Sequence, residues 1–167
     1  NGIYNLEYID GRMEKITENI YIDYAHTPEA FEKVLSSMKA QFNKKMYVLF
    51  GCGGNRDKTK RAKMGKIASK YADKIIITSD NSRDEDTLDI IKEIFSGVEE
   101  EKMCYIIPNR RDAITFAINQ LDNESILLLL GKGHEKYEII NGSMQYFNEK
   151  EIVREACTKF NLLKQKK

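Results

Sequence analysis

Three charged side chains in this sequence have the chemistry to bind a small zwitterion, and each follows an apolar stretch. Arg56 belongs to the glycine-rich run at residues 51–57, Arg83 closes an Asp-Asn-Ser-Arg stretch, and Glu135 closes a Gly-Lys-Gly-His-Glu stretch. A guanidinium group can bind a carboxylate or a phosphate through two parallel hydrogen bonds, and a carboxylate suits an ammonium group. Cationic and anionic groups together predict an amino-acid-like ligand rather than a polyphosphate.

The glycines at positions 51, 53 and 54 raise a second possibility, which is an anion site at a strand end. Backbone N–H groups at a turn between a strand and a helix can hold a phosphate. The spacing of these glycines matches neither the dinucleotide fingerprint nor the phosphate-binding loop of nucleoside triphosphatases. A tight turn that requires glycine explains the run equally well, so the glycines by themselves identify no nucleotide site.

Cys52 raises a third possibility, a thiol nucleophile with His26 or His134 as its base. No acid partner and no oxyanion motif accompanies these residues, so a small side chain that fits a turn is the better interpretation. The basic side chains that follow could bind phosphate, although such a run is more typical of a solvated helix face. They are Lys58, Lys60, Arg61, Lys63 and Lys66.

The elements that must position these residues alternate between strand and helix. The predicted strands cover residues 20–24, 47–50, 74–78, 103–107 and 126–130, and a hairpin covers residues 137–140 and 144–147. Thr27 before Pro28 and Asn109 have the side chains expected at helix N-termini. The alternation predicts an α/β, Rossmann-like three-layer domain. Its sheet is expected to have about six mostly parallel strands, helices on both faces and the hairpin as an antiparallel edge.

The carboxyl ends of parallel strands lie at one edge of a sheet, and ligands gather at that edge. Four of the predicted loops there carry polar side chains. They contain His26, Arg56, residues 80–83 and residues 131–135. Four such loops at one edge predict a binding site.

Composition excludes several classes of partner. At 167 residues the chain predicts one domain with a sizeable core. Its 27 Lys and Arg against 26 Asp and Glu leave a net charge of +1, which argues against nucleic acid or a membrane surface as the main partner. Three widely spaced cysteines predict no disulfide framework and a reducing, cytosolic compartment. The first residue is Asn rather than Met, so we expect a piece of a longer protein.

Five motifs together resemble the Mur ligases of bacterial peptidoglycan synthesis. They are Gly-Arg-Met-Glu at 11–14, Asp-Tyr-Ala-His-Thr-Pro at 23–28, the glycine-rich run at 51–57, Asp-Asn-Ser-Arg at 80–83 and Gly-Lys-Gly-His-Glu at 131–135. The resemblance covers essentially the whole chain and concerns only the family's C-terminal domain. It implies that residues 1–18 are a junction from a central ATPase domain and that residues 19–167 form the amino-acid-binding domain.

The resemblance implies a reaction for the longer protein. ATP phosphorylates the D-glutamyl carboxylate of UDP-N-acetylmuramoyl-L-alanyl-D-glutamate, and the amine of an incoming diamino acid attacks the acyl phosphate to form an amide. ATP and Mg²⁺ are expected mainly on the central domain. The domain alone is expected to be inactive, with no catalytic residue and no metal ligand of its own. Its expected partners are the other two domains of the same chain, in the bacterial cytoplasm.

The resemblance also implies roles for individual residues. Arg12, Asp23 and His26 match positions near the nucleotide. The positions that match the amino-acid site are Arg56, Asp80, Asn81, Ser82, Arg83, Gly131 and Glu135. The resemblance implies that an arginine at the position of Arg83 occurs in members that add meso-diaminopimelate. That arginine pairs with the distal carboxylate of this substrate, and lysine has no such carboxylate. Ser82 stands where the family usually has proline, which predicts a less rigid turn.

Other functions stay open at this point. A lysine-adding ligase, another Mur-type ligase or a folylpolyglutamate-type ligase would share the fold, although Arg83 and residues 131–135 speak against the last. A free-standing amino-acid-binding module would bind diaminopimelate without any other domain.

Overall fold

The computed structural model describes residues 11–165, and a six-stranded sheet forms its middle layer. The strands are β1 (Glu14–Thr17), β2 (Ile20–Asp23), β3 (Lys45–Phe50), β4 (Lys74–Ile77), β5 (Met103–Ile106) and β6 (Ser125–Leu130). Their order across the sheet is β1-β2-β6-β3-β4-β5, and only β1 runs antiparallel to its neighbour. The predicted α/β architecture with a mostly parallel sheet is confirmed.

Five helices cover the two faces of this sheet. They are α1 (Pro28–Gln41), α2 (Thr59–Tyr71), α3 (Thr87–Phe95), α4 (Arg110–Asn119) and α5 (Glu149–Gln165). Side chains alternate between the faces: Val48 and Phe50 pack with α1, α2 and α3, whereas Tyr47 and Leu49 pack with α4 and α5. Because both faces are covered, β6 is apolar and buried along its whole length, as parallel strands in three-layer folds are.

The helices begin where their capping residues predict. The side chain of Thr27 accepts a hydrogen bond from the N–H of Ala30, and that of Asn109 accepts one from the N–H of Asp112. Each cap therefore starts a helix within a few residues of the end of the preceding strand. Within residues 11–165, none of the helices combines the length and apolar composition needed to cross a bilayer.

The hairpin forms where predicted but not as an edge of the main sheet. Its strands β7 (Tyr137–Ile140) and β8 (Ser143–Tyr146) pair only with each other as a separate two-stranded sheet. The turn between them has positive φ at both central residues, Asn141 and Gly142, as a tight hairpin requires. The antiparallel edge of the main sheet is β1 instead, because β7 pairs with the loop after β4 through the isolated bridge between Arg83 and Ile140.

Strand β1 lies inside the stretch that the resemblance assigns to a junction. The carboxylate of Glu14 in this strand is buried, and it accepts hydrogen bonds from the N–H of Gly11 at 2.9 Å and from Nζ of Lys150 at 2.7 Å. These contacts attach the start of the described chain to α5. Residues 1–10 of the assigned junction lie outside the described residues, and the domain boundary stays a prediction.

A buried ion pair fixes two of the strand ends that carry the binding loops. Nε of Arg110 lies 2.7 Å from Oε1 of Glu149, and both side chains are fully buried. The two Nη atoms of Arg110 donate to the carbonyl oxygens of Ser79, at 2.9 Å, and Leu130, at 3.0 Å. The chain ends of β4 and β6 are therefore held by one guanidinium group below the loops that follow them.

Replacing Glu149 with Ala is expected to lower the free energy of unfolding by about 3–5 kcal/mol, because it removes the hydrogen-bonded counter-ion of the buried Arg110 and leaves only the more distant charges of Asp80 and Glu138. Urea denaturation of this chain measures the change. The matched control is Glu155→Ala, since Arg111 and Glu155 join the same two helices at 2.9 Å but are more than half exposed. That exposed pair is expected to contribute at most about 1 kcal/mol. Equal effects of the two substitutions would contradict the role given to Arg110.

Candidate functional site

A cavity of about 480 Å³ opens at the carboxyl ends of β2, β3, β4 and β6. Seven of the ten residues predicted for a site line it. They are His26, Arg56, Asp80, Asn81, Arg83, Gly131 and Glu135. The other three, Arg12, Asp23 and Ser82, lie outside the lining. The structure thus brings the predicted amino-acid-binding residues together at the edge where the sequence places them.

The glycine-rich run packs backbone against backbone on the turn at residues 80–83. The N–H of Gly54 donates to the carbonyl oxygen of Asn81 at 2.8 Å, and a side chain at Gly54 would overlap the carbonyl of Ser82. A side chain at Gly51 would likewise overlap the carbonyl of Thr78. Close approach of the two loops therefore accounts for glycine at these positions without a bound phosphate.

Arg83 lies across this glycine run. Its Nη1 donates to the carbonyl oxygens of Gly54, at 2.9 Å, and Asn81, at 3.2 Å. A Cβ atom added to Gly53 would lie 3.0 Å from Nη1 of Arg83 and 3.7 Å from Cγ of Arg56. The two arginine side chains therefore approach the same glycine from the two loops, and both line the cavity.

The hairpin holds Arg83 in a left-handed backbone conformation. Its φ is 55°, which costs a non-glycine residue roughly 1–2 kcal/mol. The N–H of Arg83 donates to the carbonyl of Ile139 at 3.0 Å, and its carbonyl accepts from the N–H of Gly142 at 3.0 Å. These two hydrogen bonds restrain the turn. They replace the rigidity that a proline at position 82 would supply.

Asp80 and Glu135 are among the carboxylates that line the cavity. Nδ2 of Asn81 donates to Oε2 of Glu135 at 3.0 Å. Burial by itself would raise the pKa of Asp80, but the charges of Lys132 and Arg110 outweigh burial and lower it, so this carboxyl group is ionised. Gly131 has a φ of 108°, and a Cβ there would lie 2.9 Å from Oδ2 of Asp80.

Two of the three residues predicted near a nucleotide, Arg12 and His26, lie around the ring of Tyr24, which itself lines the cavity. The guanidinium carbon of Arg12 is 5.5 Å from the centre of this ring, and the ring centres of His26 and His134 are 4.6 Å and 5.4 Å from it. Arg12 and His26 are exposed. Asp23 is buried, and its two carboxylate oxygens accept hydrogen bonds from the backbone N–H groups of Met13 and Ala25, each at 2.7 Å.

The predicted set of site residues left out several that line the cavity, among them two lysines that the sequence analysis interpreted as part of a solvated helix face. Lys60 and Lys63 line the cavity, and Nζ of Lys60 donates to the carbonyl of His26 at 2.8 Å. Their spacing of three residues puts them on one helix face, a signal available in the sequence. Arg61, in contrast, is fully buried rather than part of a solvated face. Its spacing with Met64 and Ala68 places it on the buried face of α2, and that spacing is a signal available in the sequence.

Arg61 ties the glycine-rich run to α3. Its Nη1 and Nη2 each lie 3.0 Å from an oxygen of Glu85, and Nη1 also lies 2.8 Å from Oε2 of Glu93. Oε1 of Glu85 accepts in addition from the N–H of Asn55 at 2.6 Å. These hydrogen bonds lower the pKa of Glu85 from 4.5 to about 2.

The structure argues against the thiol nucleophile. Cys52 is 3% exposed, does not line the cavity, and has its Sγ 3.7 Å from Sδ of Met64. Burial raises the pKa of this thiol to about 12, so the thiolate that a nucleophile requires is not formed near neutral pH. Cys52 is a core residue under the glycine-rich run.

Comparison with known proteins now identifies the family. Residues 11–133 match the sequence profile of the family described as "Mur ligase, glutamate ligase domain", which is more than half of the chain. This chain belongs to the Mur ligase family. A relative from Buchnera aphidicola subsp. Baizongia pistaciae, named UDP-N-acetylmuramoyl-L-alanyl-D-glutamate--2,6-diaminopimelate ligase, is 47% identical over 161 residues, which cover 93% of this chain and 32% of the relative.

Two solved structures extend the comparison to the fold. A structure with the same ligase name has a TM-score of 0.84 and 37% identity, and it covers 90% of this chain and 32% of its own. Mycobacterium tuberculosis folylpolyglutamate synthase, solved with ADP and AMPPCP, has a TM-score of 0.58 at 17% identity over 74% of this chain and 30% of its own. The second likeness shows a shared fold only. The chain spans about a third of the length of the curated relatives it matches.

In Glu85→Gln, the free energy of unfolding is expected to decrease less as the pH is lowered than it does in the unsubstituted chain. A carboxyl group whose pKa falls from 4.5 to about 2 on folding stabilises the protein above pH 4.5, and this contribution is lost as the pH falls toward 2. Unfolding followed by circular dichroism between pH 7 and pH 2 should show a smaller loss for Glu85→Gln than for the unsubstituted chain. The control is Glu101→Gln at an exposed turn. The same pH profile for both variants would contradict the Arg61–Glu85 interaction.

Proline at position 82 is expected to be tolerated. Among the described residues, the N–H of Ser82 has no hydrogen-bond acceptor, and its buried Oγ has no partner either. Ser82→Ala should therefore leave the free energy of unfolding unchanged or higher, and Ser82→Pro should add about 0.4–1 kcal/mol by restricting the unfolded chain. Chemical denaturation compares the three proteins. A large loss of stability in Ser82→Pro but not in Ser82→Ala would show that the turn cannot accept proline.

Proposed function

We propose that this chain is the C-terminal, amino-acid-binding domain of an ATP-dependent ligase that adds meso-diaminopimelate to UDP-N-acetylmuramoyl-L-alanyl-D-glutamate. The observation that carries the proposal is a cavity lined both by two arginines, Arg56 and Arg83, and by the carboxylates of Asp80 and Glu135. A diamino acid with two carboxylates and two ammonium groups matches a wall with charges of both signs.

The geometry supports the diamino diacid over lysine. Nη1 of Arg83 is occupied by two carbonyl oxygens, which orient the guanidinium plane, while its other N–H donors have no partner among the described residues. Those donors are available to a second carboxylate, which lysine does not have. The name of the relative from Buchnera aphidicola, a 2,6-diaminopimelate ligase, supports the same choice.

The contribution of this domain to the reaction is to position the attacking amine. In the acyl-phosphate route that the family implies, the amine must approach the activated carbonyl carbon in a fixed orientation. Arg56 and Arg83 hold the carboxylates, whereas Asp80 and Glu135 hold an ammonium group. The catalytic groups for phosphoryl transfer are assigned to the central domain of the longer chain, so the 167 residues alone are expected to form no amide.

ATP and Mg²⁺ are assigned mainly to that central domain. Exposed Arg12 and His26 fit a nucleotide phosphate or base next to Tyr24. Asp23 fits a ribose contact less well, because both of its oxygens are engaged by backbone N–H groups and the residue is buried. When bound, ATP supplies the phosphoryl group that activates the carboxylate, and magnesium offsets its negative charge. No group of His, Cys, Asp and Glu side chains in the described part of the chain is arranged to hold a metal ion.

The remaining parts of the proposal follow from the same assignment. Residues 1–18 connect to the central domain, residues 19–167 form the domain described above, and the full-length ligase acts in the bacterial cytoplasm on a UDP-linked substrate. A lysine-adding ligase is the second candidate, because the cavity would also accept a diamino acid with one carboxylate.

In the full-length ligase, Arg83→Ala is expected to raise KM for meso-diaminopimelate while changing KM for ATP by less than about twofold. Loss of a desolvated arginine–carboxylate pair costs about 2–5 kcal/mol, which corresponds to a rise in KM of roughly 30-fold or more. A coupled assay of ADP release with each substrate varied in turn measures both constants.

Gly53→Ala provides the matched test, because its Cβ would displace the Arg83 guanidinium without removing the charge. We expect the same pattern with a smaller rise. Equal effects of Arg83→Ala on both substrates would contradict the carboxylate role. Efficient use of lysine by the unsubstituted ligase would favour the second candidate.

A further inference from the structure

Lys132 is a fully buried lysine directly below the cavity. It follows β6, its side chain has no exposed area, and it is not among the cavity's lining residues although its neighbours Gly131 and Glu135 are. Lysine is almost never fully buried unless it is paired, because removing an ammonium group from water is costly. A buried charge at this position needs a reason.

The partners of Lys132 are all parts of the site wall or of the hairpin. Its Nζ donates to Oδ1 of Asn81 at 3.0 Å and to the carbonyl oxygen of Tyr137 at 2.9 Å. Oε2 of Glu135 lies 3.7 Å away and Oδ1 of Asp80 lies 4.0 Å away. The ring centres of Phe147 and Tyr137 lie 5.6 Å and 6.0 Å from Nζ, within cation–π range.

These contacts determine which way the amide of Asn81 points. Its Oδ1 accepts from Nζ of Lys132 and from the N–H of Ile139, each at 3.0 Å. In the reversed orientation its NH₂ group would face two donors, so only this orientation satisfies all the groups. Nδ2 is thereby directed to Oε2 of Glu135, which it reaches at 3.0 Å.

We propose that Lys132 is a positioning residue for the amino-acid substrate: its buried ammonium group orients the amide of Asn81 and, through it, the carboxylate of Glu135. Lys132 does not touch the ligand. It makes Asn81 present a donor and Glu135 present an acceptor to the cavity, and its Nζ lies within 4.0 Å of a carboxylate oxygen of both Asp80 and Glu135. The inference rests on the proposed function of the cavity.

The test is Lys132→Met in the full-length ligase, which keeps the length and apolar stem of the side chain and removes the charge. We expect KM for meso-diaminopimelate to rise about 10-fold to 100-fold, the range for losing a hydrogen bond to a charged group. KM for ATP should change by less than about twofold, because the contacts of Lys132 within residues 11–165 include none of Arg12, Asp23 and His26. Thermal unfolding of each variant separates this effect from a loss of the fold.

A double-mutant cycle with Asn81→Ala shows whether Lys132 acts through that amide. If it does, Lys132→Met should have much less effect on KM for meso-diaminopimelate in the Asn81→Ala background than in the parent. Additive effects, or an unchanged KM in Lys132→Met, would overturn the proposal. The matched control is Lys136→Met, an exposed lysine on the same loop, which should leave both KM values unchanged.

A second variant keeps the test decisive if Lys132→Met does not fold. Asn81→Asp retains oxygen acceptors for Lys132 and Ile139 but cannot donate to Glu135, so it should raise KM for the amino acid in the same way. An unchanged KM in that variant would also overturn the proposal. If the unsubstituted ligase fails to use meso-diaminopimelate, the proposed function is wrong. Normal turnover by the unsubstituted ligase with no effect of either variant rejects only the role of Lys132.

Discussion

The close approach of two loop backbones is the constraint on which the cavity depends. The glycine run after β3 lies against the turn after β4 so tightly that a side chain at Gly51 or Gly54 would overlap a carbonyl group of the opposite loop. This contact brings Arg56 and Arg83 to the same glycine of the cavity wall, Gly53, although they belong to different loops. The side chain of Arg83 then crosses Gly53 and adds its own hydrogen bond to Gly54, so the arginine helps to hold the contact that positions it.

Buried charges below the cavity maintain this arrangement. Arg110 connects the chain ends of β4 and β6, Arg61 connects the glycine run to Glu85 and Glu93, and Lys132 joins residues of the wall to the hairpin. Each cation has carboxylate partners or carbonyl oxygens close enough to offset the cost of removing it from water. Because these cations donate hydrogen bonds to backbone carbonyl oxygens and to residues of the cavity wall, the groups that face the cavity remain available to a substrate.

Several features of this site could be predicted from local patterns. Alternating strand and helix signals predict a parallel sheet, and a parallel sheet places the ends of its strands at one edge, so Arg56, Arg83 and Glu135 were expected to meet. The hairpin was expected from Asn141-Gly142, yet its position was not. Instead of extending the sheet, it pairs with the turn that carries Arg83. Pairing between segments distant in the chain depends on loop geometry, which local patterns do not encode.

By itself, the sequence determined the class of fold, the edge of the sheet that carries the site and the charges available there. Those properties follow from periodicity, from turn residues and from side-chain chemistry, all of which are local. The tertiary structure alone decided what each buried cation orients. The spacing of Arg61 with Met64 and Ala68 already predicts a place on the apolar face of its helix. The partners of Arg61, Arg110 and Lys132 come from distant segments, and no local pattern encodes them. Burial and partner geometry arise when distant segments pack, and in this domain they separate the residues that contact the cavity from those that support them.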